Sequence, residues 1–292
     1  MTPPLQAATK HPCVDLSLRV RRARQRAAAR YDAHAALFDE IGLRLLEHLD
    51  YIKLLPARVL DLGCATGRVS AALRIRYPQA HIVGVDPAFA FARFAQELAR
   101  PQLPTALCAE LERLPLQARC FDLIVCNLGA YWCRIDRLLP ELLRVAAPGA
   151  LLLLSTFGPD TLQELRAAFK DIDKRRHVLP FVDMHDIGDA LGQSGFSEPI
   201  MQMDRLTLTY ENLHQFTGEL AALGMRNLLP ERAPGLYGKS NWQTMSERYR
   251  LDANGRTPAT FEIIYATAWK PLQAQRLADG SQVIGFHPAR KG

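Results

Sequence analysis

The chain reads as an α/β fold, a mostly parallel sheet with helices on both faces, and three observations predict it. Strand and helix signals alternate from about residue 58 to 170, the pattern that parallel crossovers leave in a sequence. The apolar run from Val59 to Leu62 breaks into Gly63-Cys64-Ala65-Thr66-Gly67 and a helical stretch from Arg68, which is a strand, a tight turn and a helix. The third is bulk: 292 residues, 48% hydrophobic and 23% charged, suit one elaborated domain with a full core.

In chain order, residues 1–17 read as a flexible tail and 18–49 as a helical cover, Ala-rich, with Tyr31, Leu37, Ile41, Leu45 and Leu49 near one face. Strands are expected at 58–62, 81–86, 105–109, 121–126 and 150–155, and helices at 68–76, 88–98, 135–145 and 160–170. Residues 110–119 read as loop, and Ala147-Pro148-Gly149 as the turn into the fifth strand. A helix over 182–194 ends at Gly195. Two later strands, 201–210 and 260–269, are rich in β-branched residues. The insertion between them, 211–257, carries helical patterns at 211–223 and 241–250 and a loop from Gly224 to Gly238. A connection that long predicts a lid or a substrate wall. The domain therefore runs over 18–270, with a polar tail at 271–292.

Composition removes several function classes. The longest apolar run, Ala150 to Leu154, is too short to span a membrane, and no secretory signal is expected at the N-terminus. Six cysteines without a Cys-x-x-Cys pair predict reduced thiols and a cytoplasmic setting. No histidine has zinc-type spacing to another ligand, so no metal is expected. The net charge of +6 is uneven: Arg19, Arg21, Arg22, Arg24, Arg26 and Arg30 fall in one segment without an acid. That segment suits a nucleic acid, an anionic membrane, an acidic protein or a solvated helix face. The absence of a basic, aromatic-interleaved stretch elsewhere weighs against nucleic acid.

The glycine turn is more specific. Its Gly-x-x-x-Gly spacing lacks the third glycine of a dinucleotide loop, and Asp61 would repel a pyrophosphate. Asp61 suits a ligand carrying an ammonium group, such as the methionine part of S-adenosylmethionine (SAM); the competing role is an acid that caps a turn. Asp86, followed by Pro87, closes the second strand, where a carboxylate accepts ribose hydroxyls. Past the third strand, Glu110-Leu111-Glu112 offers an acid to an adenine amino group, Glu110 ahead of Glu112, unless both are solvated loop acids. Asn127 ends the fourth strand, and Tyr131 and Trp132 follow as either core or a wall for a sulfonium.

The order Asp-x-Gly-x-x-x-Gly, Asp86, Glu112-Arg113-Leu114-Pro115 and Phe121-Asp122-Leu123-Ile124-Val125 resembles the class I SAM-dependent methyltransferases. That resemblance implies a Rossmann-like, seven-stranded, mostly parallel sheet with the insertion before the last strand. It implies SAM held by Asp61, Gly63, Ala65, Gly67, Asp86, Pro87, Glu110, Leu111 and Asn127. Segments 26–32, 127–132, 155–162, 181–186 and 258–265 are similar to the malonyl-acyl-carrier-protein O-methyltransferases of biotin synthesis. The implied reaction moves a methyl group from SAM to the free carboxylate of a malonyl thioester. Tyr31 would close over the cofactor, Asn127, Tyr131 and Trp132 would stand at the reacting end, and Arg166 and His185 would face the malonyl carboxylate. For His185, a place at a helix start beside Asp183 and Asp186 competes with that role. An acidic acyl carrier protein would dock on Arg19–Arg30, with neither nucleic acid nor membrane as partner. No Asn/Asp-Pro-Pro-aromatic tetrad of a base-modifying enzyme follows Asn127. The chain departs from the family pattern at Ala65, usually glycine, and at Phe38 and Tyr131, usually glutamine. Two alternatives stay open: methylation of another carboxylate or small molecule, and a SAM-binding assembly factor acting on a protein partner.

Overall fold

The chain enters its sheet in the middle. Strand β1 (Arg58–Leu62) lies between β2 (His81–Asp86) and β4 (Phe121–Asn127), with β3 (Ala106–Cys108) beyond β2. On the other side follow β5 (Ala146–Phe157), β7 (Thr257–Trp269) and, at the edge, β6 (Ser197–Tyr210), giving the order β3-β2-β1-β4-β5-β7-β6. β1 to β5 pair in parallel, while β7 runs antiparallel to both β5 and β6. Because the chain goes outward from β1 to β3 and then returns to β4, the connections leaving β1 and β4 diverge at their carboxyl ends. That switch point is where such sheets hold ligands. The computed structural model describes residues 17–100, 106–230, 232, 238–272, 275–276 and 282–283. The tail expected over 1–16, Cys13, Thr105 and parts of the 224–238 and 271–292 expectations lie outside the described residues.

Alternation along the strands builds two cores. Val59, Leu123, Val125, Leu151, Leu153 and Phe261 face one side, and Leu60, Leu62, Ile124, Cys126, Leu152 and Leu154 the other. The first side is covered by α2 (Ala36–Glu47), α3 (Arg68–Arg76), α4 (Phe89–Leu98) and α6 (Gln163–Phe169), the second by α5 (Ile135–Val145) and α7 (Met184–Ser194). Asp183 caps α7 by accepting from the His185 backbone N–H, and Gly195 ends it in the left-handed region at φ +99°. The β6–β7 insertion carries α8 (Leu213–Ala222) and α9 (Lys239–Arg248). Asn212 caps α8 through the Gln215 N–H, and Arg248 ties α9 to the Lys170 carbonyl at 2.8 Å.

Three elements differ from expectation. The helical cover is two helices, α1 (Ser17–Ala27) and α2, separated by a 3₁₀ turn at Tyr31–Ala33 that lets Tyr31 point inward. Ala147-Pro148-Gly149 lies inside β5 rather than before it. Pairing there slips from Phe121–Ala146 to Leu123–Leu151, and Gly149, at φ +79°, donates its N–H to Lys270. α6 starts at Gln163, because a turn closed by Thr161 N–H to Gly158 C=O occupies the preceding residues.

Gly67 starts α3 at φ +90°, and a Cβ there would meet the Ala95 Cα at 3.1 Å. An L-residue in that region costs about 1–2 kcal/mol before any clash. Gly67→Ala is therefore expected to lose at least about 1–2 kcal/mol in urea unfolding with an unchanged slope. An unshifted midpoint would show that the turn relaxes freely.

Candidate active site

The loop after β1 is fastened to β2: the N–H groups of Gly63 and Cys64 both donate to the Val85 carbonyl, at 2.8 and 3.1 Å. Asp61, at 1% exposure, accepts from the Ser70 hydroxyl at 2.5 Å. Burial pushes its carboxyl up to about 6, and the Ser70 hydrogen bonds pull the other way. Asp61 opens on a small pocket with Gly63, Thr66, Tyr31, Phe38 and Asn127 in its walls. Gly63, at φ +76°, stands back to back with Gly129, whose Cα a Gly63 Cβ would meet at 3.0 Å. Ala65 holds a left-handed conformation, φ +46°, and donates its N–H to Asp86.

Asp86 is fully buried, and every acceptor position it has is in use. Oδ1 accepts from the Ala88 N–H at 2.9 Å and from Arg24 Nε at 3.4 Å. Oδ2 accepts from the Ala65 N–H and from Arg24 Nη2 in a short ion pair. The Arg24 guanidinium, itself 3% exposed, sits 4.5 Å from the ring centres of both Phe91 and Trp132. Sequence reasoning missed this residue. The signal was present: Arg24 shares the i, i+4, i+7 stripe of Val20 and Ala27, the buried face of α1.

Two larger cavities flank Trp132. One is lined by Val20, Pro87, Glu110, Leu111, Glu112 and Trp132. Glu110 stands 3.8 Å from Arg21, whereas Glu112 accepts from the Arg134 N–H at 2.8 Å and so braces the start of α5. The other lies among α1, α8 and the 177–181 segment, with Tyr131, Trp132, Leu165, Phe181, Leu220 and Met225 among its mostly apolar walls. Tyr131 meets Trp132, Phe157 and Phe181 ring to ring at 4.4, 5.1 and 6.2 Å. Burial pushes the Tyr31 and Tyr131 phenols well up, so both stay protonated.

The remaining expected site residues are placed less uniformly. Asn127 reaches the first cavity, but its amide is committed: Nδ2 donates to the Phe38 carbonyl and Oδ1 accepts from Ser155. It ties α2 to the sheet. His185 is not brought to the site. Its side chain is 84% exposed and pairs with Asp183 at the start of α7, the capping role that sequence had weighed against a catalytic one. Arg166 is exposed and donates to the Thr161 carbonyl at 3.1 Å, on the wall of a separate cleft. Arg24, Phe157 and His177 stand at the site without having been expected there. Among the described residues, no three His, Cys, Asp or Glu side chains converge on a metal site, and no helix is long and apolar enough to cross a membrane.

Comparison with known proteins fits this geometry. A sequence-family model described as "Methyltransferase domain" matches residues 60–154, from β1 through most of β5. Malonyl-[acyl-carrier protein] O-methyltransferase of Gallionella capsiferriformans is 43% identical over 91% of this chain and 94% of its own. The enzyme of the same name from Laribacter hongkongensis is 41% identical over 92% and 95%. Among solved structures, YcgJ of Bacillus subtilis superposes with a TM-score of 0.55 at 15% identity, over 78% of this chain and 97% of its own. A SAM-dependent methyltransferase from Thermotoga maritima gives 0.50 at 16%, over 86% and 99%. The two structures share the fold; the two sequences share far more, and this chain belongs to the malonyl-acyl-carrier-protein O-methyltransferase family.

Proposed function

We propose that this chain transfers the methyl group of SAM to the free carboxylate of a malonyl group borne by an acyl carrier protein. The product, a methyl ester, primes pimeloyl formation in biotin synthesis. The observation that carries the reading is the position of Trp132. It forms a wall of both the acid-lined cavity beside Pro87 and Glu110 and the apolar cavity beyond Tyr131. A nucleoside cofactor and an acyl acceptor can therefore meet across one indole.

The residues present fit SAM. Asp61 is a buried acid that takes the ammonium; Gly63 and Ala65 line the same pocket, and Gly67 lets the loop turn into α3 against Ala95. Asp86 takes the ribose hydroxyls at the two positions now held by Arg24, which must then turn away. Pro87, Leu111 and Glu110 border the adenine, with Glu110 accepting its amino group. When bound, the cofactor supplies a methyl group on a positively charged sulfur, already activated for transfer. The protein has little proton chemistry left to do. An acceptor carboxylate with pKa near ~4 is ionised at pH 7, so no side chain has to remove a proton. The chain instead fixes the geometry and keeps water out, and in-line orientation alone is worth roughly 7–11 kcal/mol. Tyr31, held edge-on between Phe38 and Phe91 at 5.9 and 5.0 Å, closes the reacting end. Tyr131 and Trp132 provide a desolvated wall.

The acidic carrier docks on the Arg19–Arg30 segment. Arg19, Arg21, Arg22, Arg26 and Arg30 are exposed and only Arg24 is buried; Arg19 also donates to the Leu229 carbonyl at 2.9 Å, and Arg21 stands 3.8 Å from Glu110. The 211–257 insertion acts as the lid, with Leu220 and Met225 over the acceptor cavity. The setting is cytoplasmic, in keeping with the free Cys64, Cys108, Cys120, Cys126 and Cys133.

The test of this reading is mass spectrometry of malonyl-carrier protein incubated with the enzyme and SAM, beside an acetyl-carrier control. A gain of one methyl on the malonyl carrier alone is expected. Methylation of free malonate or malonyl-CoA with the carrier untouched would shift the assignment to another carboxylate. Asp61 also fixes a pH dependence. Its raised pKa means that it is ionised above pH about 6 and protonated below, and only the ionised form pairs with an ammonium. SAM affinity is expected to be flat above that pH and to fall up to tenfold per unit below it. Asp61→Asn should bind weakly and lose this dependence; a wild-type affinity that stays flat to pH 5 would remove Asp61 from the site.

A further inference from the structure

The cleft lined by Arg166 has no part in the chemistry above. α6 and the segment that follows it supply its walls. Five cations line it: Arg166, Lys170, Lys174, Arg175 and Arg176, all exposed, and none forms an ion pair among the described residues. Two acids share the cleft, Asp171 and Asp173. Asp173 is already committed, accepting from the His177 ring and the Arg175 N–H at 2.9 and 2.8 Å. The local balance is strongly positive.

This is not a loose run of surface charge. Arg248 holds the Lys170 carbonyl at 2.8 Å, and Asn227 holds that of Arg176 at the same distance. The Phe169 and His177 rings stack at 3.8 Å, nearly parallel at 5°. Anchors from α9, from the segment after α8 and from α6 itself thus fix the backbone that brings like charges together. Like charges gathered in one cleft focus a positive potential there, which attracts an anion.

The neighbouring cavity indicates which anion. His177 and Val178 line both the basic cleft and the apolar acceptor cavity, so the two share a wall. An occupant reaching both must carry a flexible, largely uncharged chain and a compact anion at a distance from its acyl end. A carrier-borne thioester has that form, because carriers present acyl groups on a pantetheine arm joined through a phosphodiester. We propose that this cleft binds the phosphate of the pantetheine arm, while the arm itself leads into the acceptor cavity. The proposal rests on the carrier-thioester reading of the acceptor. It divides recognition in two: the exposed arginines of α1 meet the carrier's acidic surface, and the cleft meets its prosthetic group. Lys and Arg suit a phosphate through point charge and paired N–H donors respectively.

The test is titration calorimetry of phosphopantetheine and of pantetheine, with S-adenosylhomocysteine present, on the wild type and on a Lys170→Ser/Lys174→Ser/Arg175→Ser variant. All three positions are exposed, so the fold should survive, and a thermal melt confirms it. Phosphopantetheine is expected to bind the variant at least tenfold more weakly, with pantetheine unchanged. Equal affinity of phosphopantetheine for both proteins would overturn the proposal. So would inorganic phosphate binding the wild type as tightly as phosphopantetheine, because the arm would then contribute nothing. In kinetics, the variant should raise KM for malonyl-carrier at least tenfold with kcat kept, and leave KM for malonyl-pantetheine alone. If the wild type methylates no carrier thioester but the phosphopantetheine difference persists, the reaction assignment falls and the cleft stands. If methylation is intact and the difference is absent, the cleft falls and the reaction stands.

Discussion

A buried ion pair, Arg24 with Asp86, joins the cover of this enzyme to its sheet. Taking both charges out of water is expensive, and such a pair persists only where geometry and extra hydrogen bonds repay the desolvation. Here they do: two guanidinium nitrogens meet two carboxylate oxygens, each oxygen also accepts a backbone N–H, and two aromatic rings face the cation. Removing one partner of such a pair typically costs about 3–5 kcal/mol. Much else hangs on it. Arg24 holds α1, α1 carries Val20 into both large cavities, and Arg19 from the same helix reaches the Leu229 carbonyl beyond α8. The cover helix, the sheet and the glycine loop meet at this one contact.

The reacting end has a second organising feature, a run of aromatic contacts. Phe38 touches Phe157 at 6.0 Å, and Phe157 touches Tyr131 and Phe181 at 5.1 and 5.6 Å. Phe38 and Tyr131 are the two positions where the family pattern places glutamine, and the structure shows that they share a neighbour. Phe38 and Tyr131 thus belong to one surface of rings, on which the Tyr131 hydroxyl is the polar point. The consequence is a drier site, which suits a reaction driven by orientation and desolvation more than by acid–base chemistry.

Much of this was legible in the sequence. β1, β2, α3 and α5 lie where apolar periodicity and glycine punctuation put them, since both signals are local. Asp61 and Asp86 follow from their places at strand ends. The bulge in β5 was not legible, because Pro148 and Gly149 mark a turn and a bulge alike, and only pairing with β4 and β7 distinguishes them. Arg24 was hidden for a related reason. A basic helix reads as a solvated face, and the acid and rings that bury this arginine come from distant segments. Arg166 and His185 entered through resemblance alone, and the structure puts one on a neighbouring cleft and the other at a helix start.

On the proposed reading Asp86 has two claimants, the cover helix and the ribose of the cofactor, so cofactor entry competes with Arg24. The most direct test is the affinity of SAM for Arg24→Leu, measured by calorimetry beside the wild type. Leucine keeps an apolar stem on the buried face of α1 and gives Asp86 nothing to bind. The account predicts a protein that is less stable by about 3–5 kcal/mol but, where still folded, binds SAM several-fold tighter than the wild type, because the competitor is gone. Binding at least tenfold weaker would contradict it and make Arg24 a ligand of the cofactor instead.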